Sequence, residues 1–395
     1  MISDKPAEKA EIVDAAGLYI SPGLVDIHVH FRQPGFEYKE DLLSGAKAAA
    51  AGGITSAACM ANTNPVIDSP EWVRYIKEKA ADAVIGIYPI AAVTIGQAGE
   101  RLTDFGALKE AGACALSDDG MPVSNAQLML EALRKAEENG LIIIAHSEDF
   151  NMTDGRSVNE GAVSKKLGVK GRPCVAEEYM IARDAMLAKY AKAKIHIAHV
   201  STSGSVDIIR DCKASGIDIS CETCPQYFML TEDEVIGKGA EAKMFPPLRA
   251  QKDVEGIIKG LTDGTIDIIA TDHAPHAENE KRKGLLDAPG GMVGLETSLA
   301  AALTALYHTK RMNLTDIIRK MTVNPAARFG LHAGGVNIGD RADLVIFDAH
   351  EVWTVKPEKF LSKSKNTPFA GMTLNGRVKY TIYGGNIVYR FDRIR

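Results

Sequence analysis

The chain has 395 residues, 46% of them hydrophobic and 25% charged, with a formal net charge of −5 at neutral pH. That composition supports a large core and a wetted surface, while the absence of any basic stripe or block of like charge argues against a nucleic-acid or membrane-surface protein. No run of about 18 uncharged apolar residues occurs, and the opening MISDKPAEKAEIVDA is too charged for a secretory leader, so a cytoplasmic protein acting on a small polar molecule is expected. Six scattered cysteines do not form a disulfide framework, and the Cys221 and Cys224 pair is read as reduced, half-buried thiols.

In chain order, residues 1 to 22 read as a lead-in that could add one strand to a β-domain further on. From residue 24 short β-rich runs alternate with helical patterns. The runs cover 24 to 29, 54 to 60, 84 to 92, 113 to 117, 141 to 146, 194 to 200, 217 to 222 and 265 to 272. Between them lie helical stretches such as EDLLSGAKAAAAGG, NAQLMLEALRKAEENG and SGSVDIIRDCKASG, each closed by the glycine expected past a helix C-terminus. Eight near-continuous apolar strands alternating with helices predict a parallel sheet buried on both faces, hence an α/β protein with a TIM-type (β/α)8 barrel over residues 23 to 334. A doubly wound open sheet is the alternative. From residue 335 to 395 the pattern changes to short alternating strands with Asn-Gly and Gly-Gly turn signals and no helix, which predicts a small appended β-sandwich-like domain.

Active sites of such barrels lie at the C-terminal ends of the strands, so the residues that close each run are the ones to inspect. The first run ends in His28 and His30, the fourth leads into Ser117, Asp118 and Asp119, the fifth ends in His146, the sixth in His199 and the eighth in Asp272. Four histidines and two carboxylates thereby converge on one rim. His28 and His30 share strand parity, whereas His196 and His199 do not, so His196 is expected to face the helices in a structural role. Imidazole with carboxylate suits zinc, with manganese, iron or cobalt as alternatives for the same ligand set, and six ligands exceed what one catalytic zinc uses, which points to two ions per chain sharing a bridging carboxylate.

These blocks resemble the amidohydrolase superfamily and, within it, the type I dihydroorotase family. The resemblance rests on DIHVHFRQPG at 26 to 35, ANTNP at 61 to 65, LSDDG at 116 to 120, AHSED at 145 to 149, HIAHVST at 196 to 202, PPLR at 246 to 249, ATDHAPH at 270 to 276, GLET at 294 to 297 and NTPFAG at 366 to 371. It implies that His28, His30 and Asp272 hold one metal, that His146 and His199 hold the other, and that Asp119 bridges them, with Asp118 as the alternative bridge. Many relatives bridge with a carboxylated lysine, which the end of the fourth run lacks. The implied reaction is the reversible opening of the cyclic amide of dihydroorotate to N-carbamoyl-aspartate in pyrimidine synthesis, with Asp272 as the proton carrier. Arg32 is then suited to hold the substrate carboxylate through paired charge-assisted hydrogen bonds. Asn62 and His276 complete that clamp by the resemblance, the backbone at Gly290 and Gly291 lies against the ring, and His273 stands behind the site.

Three features depart from the family pattern. Phe245 stands where an asparagine usually precedes Pro-Pro-Leu-Arg, Ala61 replaces a common proline, and relatives usually carry about thirty further N-terminal residues of β-strand. Either the chain is shortened at its start codon, or the strands that remain have exposed edges covered by another subunit; a homodimer is expected, and aspartate transcarbamoylase is a further candidate partner. Other readings are an allantoinase or dihydropyrimidinase, against which Arg32 and Asp119 both argue, and a non-catalytic dihydroorotase-like subunit of aspartate transcarbamoylase, which would have lost metal ligands.

Overall fold

The computed structural model describes residues 12 to 391, so the first half of the lead-in lies outside the described residues. Fourteen strands occur in chain order among them. β1 (Tyr19–Pro22) precedes β2 (Leu24–Val29), β3 (Ile54–Cys59), β4 (Gly86–Ala91), β5 (Ala115–Leu116) and β6 (Ile143–Ala145). Two short strands, β7 (Val158–Asn159) and β8 (Gly171–Arg172), come next, then β9 (Ile195–Ile197), β10 (Ile219–Thr223) and β11 (Ile268–Ile269). The last three are β12 (Leu344–Thr354), β13 (Thr373–Tyr383) and β14 (Asn386–Arg390).

Eight strands form one parallel sheet in the order β2, β3, β4, β5, β6, β9, β10, β11. Its ends meet through a parallel bridge between Val29 and His273 and a hydrogen bond from His30 N to His273 O at 2.9 Å. The sheet is therefore a barrel rather than an open doubly wound sheet. Seven of the eight strands fall within their apolar runs, because a strand buried on both faces has no polar side to show, and β10 passes the end of its run by one residue, Thr223.

The barrel interior holds Val25, Ile27, Ile90, Ile144 and Ile268, plugged from below by Phe329 of the helix Val323–Phe329. A larger cluster fills the layer between sheet and helices, where the alanine-rich helix Leu42–Ala51 lies close to the strands. That helix starts on an Asp41 and Ser44 capping box, and Ser203–Ala214 starts with the Thr202 side chain accepting from Ser205 N. The helices Ala126–Glu138 and Ser203–Ala214 occupy the predicted stretches.

β1, β12, β13 and β14 form a separate antiparallel sheet, with Tyr19 to Pro22 paired to Phe347 to Leu344. The Gly384-Gly385 pair makes the expected turn between β13 and β14, both residues having positive φ. The predicted Asn375-Gly376 turn does not form. Those residues run inside β13, where Trp353 Nε1 donates to Gly376 O at 2.7 Å and Asn375 N donates to Thr304 Oγ1 at 2.8 Å. Gly376 is needed there because its φ is 101° and a Cβ would meet Leu303 Cδ1 at 2.4 Å. The ribbon of β7 and β8 has no counterpart among the predicted strands, since two-residue pairs leave no periodic signal.

Candidate active site

The strand ends on one rim open into a cavity of about 320 Å³. His30, Arg32, Asn62, Asp119, His146, His199, Asp272, His276, Gly290 and Gly291 all line it. His28 lies just beneath, fully buried.

Asp119 is the centre of the cluster. Its Oδ1 lies 3.5 Å from His28 Nε2, 3.3 Å from His146 Nδ1 and 3.4 Å from His199 Nε2, and its Oδ2 lies 3.5 Å from His30 Nε2. Asp272 Oδ1 approaches His30 Nε2 at 3.0 Å and His28 Nε2 at 3.6 Å. Asp118 turns away, its Oδ1 accepting from Val93 N at 2.8 Å and Thr94 N at 3.1 Å while Oδ2 accepts from the Thr94 hydroxyl. Asp119 is thus the aspartate that faces the histidines.

This arrangement fits metal ions. His28 Nε2 is buried without a hydrogen-bond partner, and His146 Nδ1 and His199 Nε2 point at each other across 2.9 Å. Two ligand groups, His28 with Asp119 and His199, and His28 with His30 and Asp272, each have donor atoms within 4.8 Å of one another. An orphaned nitrogen facing carboxylates in a dry site costs stability unless a cation completes it.

The histidines are oriented from behind by Glu222 and Glu148, which the sequence did not single out, and by Asn62, expected there as a substrate contact. Glu222, the penultimate residue of β10, contacts His28 Nδ1 at 2.5 Å, and Asn62 Oδ1 contacts His30 Nδ1 at 2.8 Å. Each contact places the proton on Nδ1 and leaves the Nε2 lone pair facing the cavity. Glu148 lies 3.8 Å from His146 Nε2, on the side away from Asp119. Burial opposes the charge of Glu222, yet attraction to His28 and hydrogen bonds from both His196 and His28 hold its carboxyl at about 2.

His196 faces the interior, not the helices. It contacts Ser220 Oγ at 2.7 Å, Glu222 Oε2 at 3.2 Å and the Phe329 ring at 5.1 Å. Parity failed here because β9 ends at Ile197 and His199 takes a positive φ of 33°, so His199 reaches the rim by leaving the strand alternation. Asp272 and Arg32 also have positive φ, 48° and 60°, a concentration of backbone strain typical of a functional rim. His273 stands behind, with Nε2 3.5 Å from Glu40 and Nδ1 accepting from Gly294 N. Cys221 and Cys224 are fully rather than half buried.

Arg32 Nε donates to Pro275 O at 3.2 Å, and its Nη2 lies 3.5 Å from His276 Nε2. Burial lowers this guanidinium to about 10, against the attraction of Asp272 and Asp119, so it stays charged at neutral pH. Burial, with Arg32, Lys39 and Lys281 nearby, lowers His276 to about 2 and leaves it a neutral donor to Gly290 O at 2.9 Å. Gly290 admits no side chain, because a Cβ would stand 2.7 Å from the Phe245 ring.

A (β/α)8 barrel with imidazoles and carboxylates gathered at its strand ends defines a hydrolase of the amidohydrolase type, a family that is generally metal-dependent. The family model described as "Dihydro-orotase-like" matches residues 17 to 205, and that described as "Amidohydrolase family" matches 286 to 389. The dihydroorotase of Ruminiclostridium cellulolyticum is 51% identical over 96% of this chain and 89% of its own, and that of Geotalea daltonii is 50% identical over 98% and 91%. The L-hydantoinase of Arthrobacter aurescens superposes with a TM-score of 0.89 at 26% identity, covering 100% of this chain and 90% of its own. The chain belongs to the dihydroorotase family.

Proposed function

We infer that the protein catalyses the reversible hydrolysis of dihydroorotate to N-carbamoyl-aspartate, using two zinc ions per chain. The observation that carries the reading is a buried cluster of four imidazoles and two carboxylates, side chains able to hold metal, beside a charged, cavity-lining Arg32. His28, His30 and Asp272 are assigned to one ion, His146 and His199 to the other, and Asp119 to both. Bound there, the ions would lower the pKa of a water and polarise the ring carbonyl.

The protein's own residues do the rest. Arg32 binds the carboxylate of the ring, its two-pronged guanidinium matching the two oxygens. His276, held neutral, and Asn62 complete the wall beside it. The backbone at Gly290 and Gly291 lets the ring approach where any Cβ would intrude. Asp272, at the rim and within reach of His30, takes the proton of the attacking water and delivers it to the departing ring nitrogen.

A substrate panel of dihydroorotate, hydantoin, dihydrouracil and allantoin tests the assignment. Preference for dihydroorotate is expected, and preference for a ring without the carboxylate would overturn it. Among the described residues no helix is long and apolar enough to cross a membrane. The same reading places the protein in the cytoplasm as a homodimer paired over the edges of its antiparallel sheet, with aspartate transcarbamoylase as a further partner. Light scattering, alone and with that enzyme added, checks both associations.

A further inference from the structure

The cavity contains a second guanidinium that the proposed reaction does not use. Arg172 lines it together with Glu148 and Phe245. Its Nε donates to Arg156 O at 2.8 Å and its Nη1 donates to Glu148, while the guanidinium carbon stands 3.6 Å above the centre of the Phe245 ring. Stacking on an aromatic face and pairing with a carboxylate together fix the plane of the group. Nη2 makes no hydrogen bond among the described residues. The result is a preorganised donor at the wall of the site.

Its place in the barrel says what it meets. Arg32 follows β2, the first strand of the barrel, whereas Glu148 follows β6, the fifth of eight, and holds Arg172, which lies in β8 of the segment beyond, on that side. First and fifth strands are diametrically opposed in a closed barrel of eight. A ring whose carboxylate sits on Arg32 and whose scissile amide lies over the Asp119 cluster therefore directs its remaining polar edge toward Arg172. That edge carries a ring N–H, a donor, and the ureide carbonyl, an acceptor; Arg172 offers only donors and so can meet the carbonyl.

We propose that Arg172, held flat against Phe245, is a specificity-determining residue that donates a hydrogen bond to the ureide carbonyl oxygen of the cyclic substrate; this rests on the dihydroorotase reading. Phe245 contributes the stacking face rather than a polar contact. The assignment separates cyclic ureides, which have this acceptor, from simple lactams, which lack it.

The test compares kcat/KM for dihydroorotate and for its 2-thioxo analogue, whose sulfur is a poor acceptor, in the unaltered protein, Arg172→Met and Arg172→Lys. Because each ratio is taken on one preparation, differences in metal content or folded fraction cancel. The unaltered protein should prefer the oxygen compound by about tenfold or more, the range of one hydrogen bond to a charged group. Arg172→Met should abolish that preference and Arg172→Lys should restore part of it. An undiminished oxygen preference in Arg172→Met would overturn the inference while leaving the dihydroorotase reading intact. No turnover of dihydroorotate by the metal-loaded unaltered protein would overturn both.

Discussion

Glu222→Gln isolates the group that aims His28 at the proposed metal site. The carboxylate is fully buried, 2.5 Å from His28 Nδ1 and 3.2 Å from His196 Nε2, and bridges two imidazoles within the barrel. Glutamine keeps the shape but has one acceptor and one donor, so only one imidazole can still donate to it. His28 is then free to adopt the other tautomer, with its lone pair on Nδ1 and none offered at Nε2. Loss of such an outer partner lowers metal affinity roughly 10- to 100-fold, or about 1.4 to 2.7 kcal/mol. Competition against a chromophoric chelator, titrated with zinc at fixed pH, measures this directly, and circular dichroism confirms that the variant is folded. Affinity unchanged from that of the unaltered protein would refute the claim that Glu222 sets the His28 tautomer.

Arg32→Met should raise the KM for dihydroorotate by about 10-fold or more with a smaller change in kcat, since a charge-assisted pair is lost; steady-state kinetics with an unchanged KM would count against the carboxylate clamp. Asp118→Ala should cost about 2 kcal/mol of stability by orphaning the backbone N–H groups of Val93 and Thr94, without abolishing metal binding, whereas Asp119→Ala should abolish it. Thermal melts together with metal analysis separate the two. Burial raises Glu296 to about 7, against hydrogen bonds from Leu361 N and Ser362 N, so the folded state holds its proton more tightly than the unfolded chain. Its contribution is therefore full below pH 4.5 and is lost as pH rises to 7, a fall of about 3 kcal/mol. Denaturant unfolding of Glu296→Gln at pH 5 and pH 8 should lack that part of the decline, and identical slopes in both proteins would contradict the argument.

The barrel was legible because strands buried on both faces are written as unbroken apolar runs, and their closing residues then mark the rim. That is why His28, His30, His146, His199 and Asp272 could be read together before any coordinates. Asp119 needed the family resemblance to be preferred over Asp118, since neighbouring aspartates past a strand end carry no usable parity. Glu222 was missed because it acts on His28 across the barrel, a pairing that leaves no spacing along the chain, and Glu148 and Arg172 because they pair with each other in the segment past β6, which has no periodicity to read. One signal was present, a glutamate closing the apolar run of β10, and an inward carboxylate at that position asks for a partner. His196 and the Asn375-Gly376 pair were misread because a strand end and a tightly packed bend broke the local rules the prediction assumed.

The central claim is tested most directly by stripping the protein of metal and following dihydroorotate turnover as zinc is added back. Activity should be absent without metal, rise with added zinc and level off at two equivalents per chain. Turnover that is indifferent to zinc, or no turnover of dihydroorotate at any loading, would contradict the account.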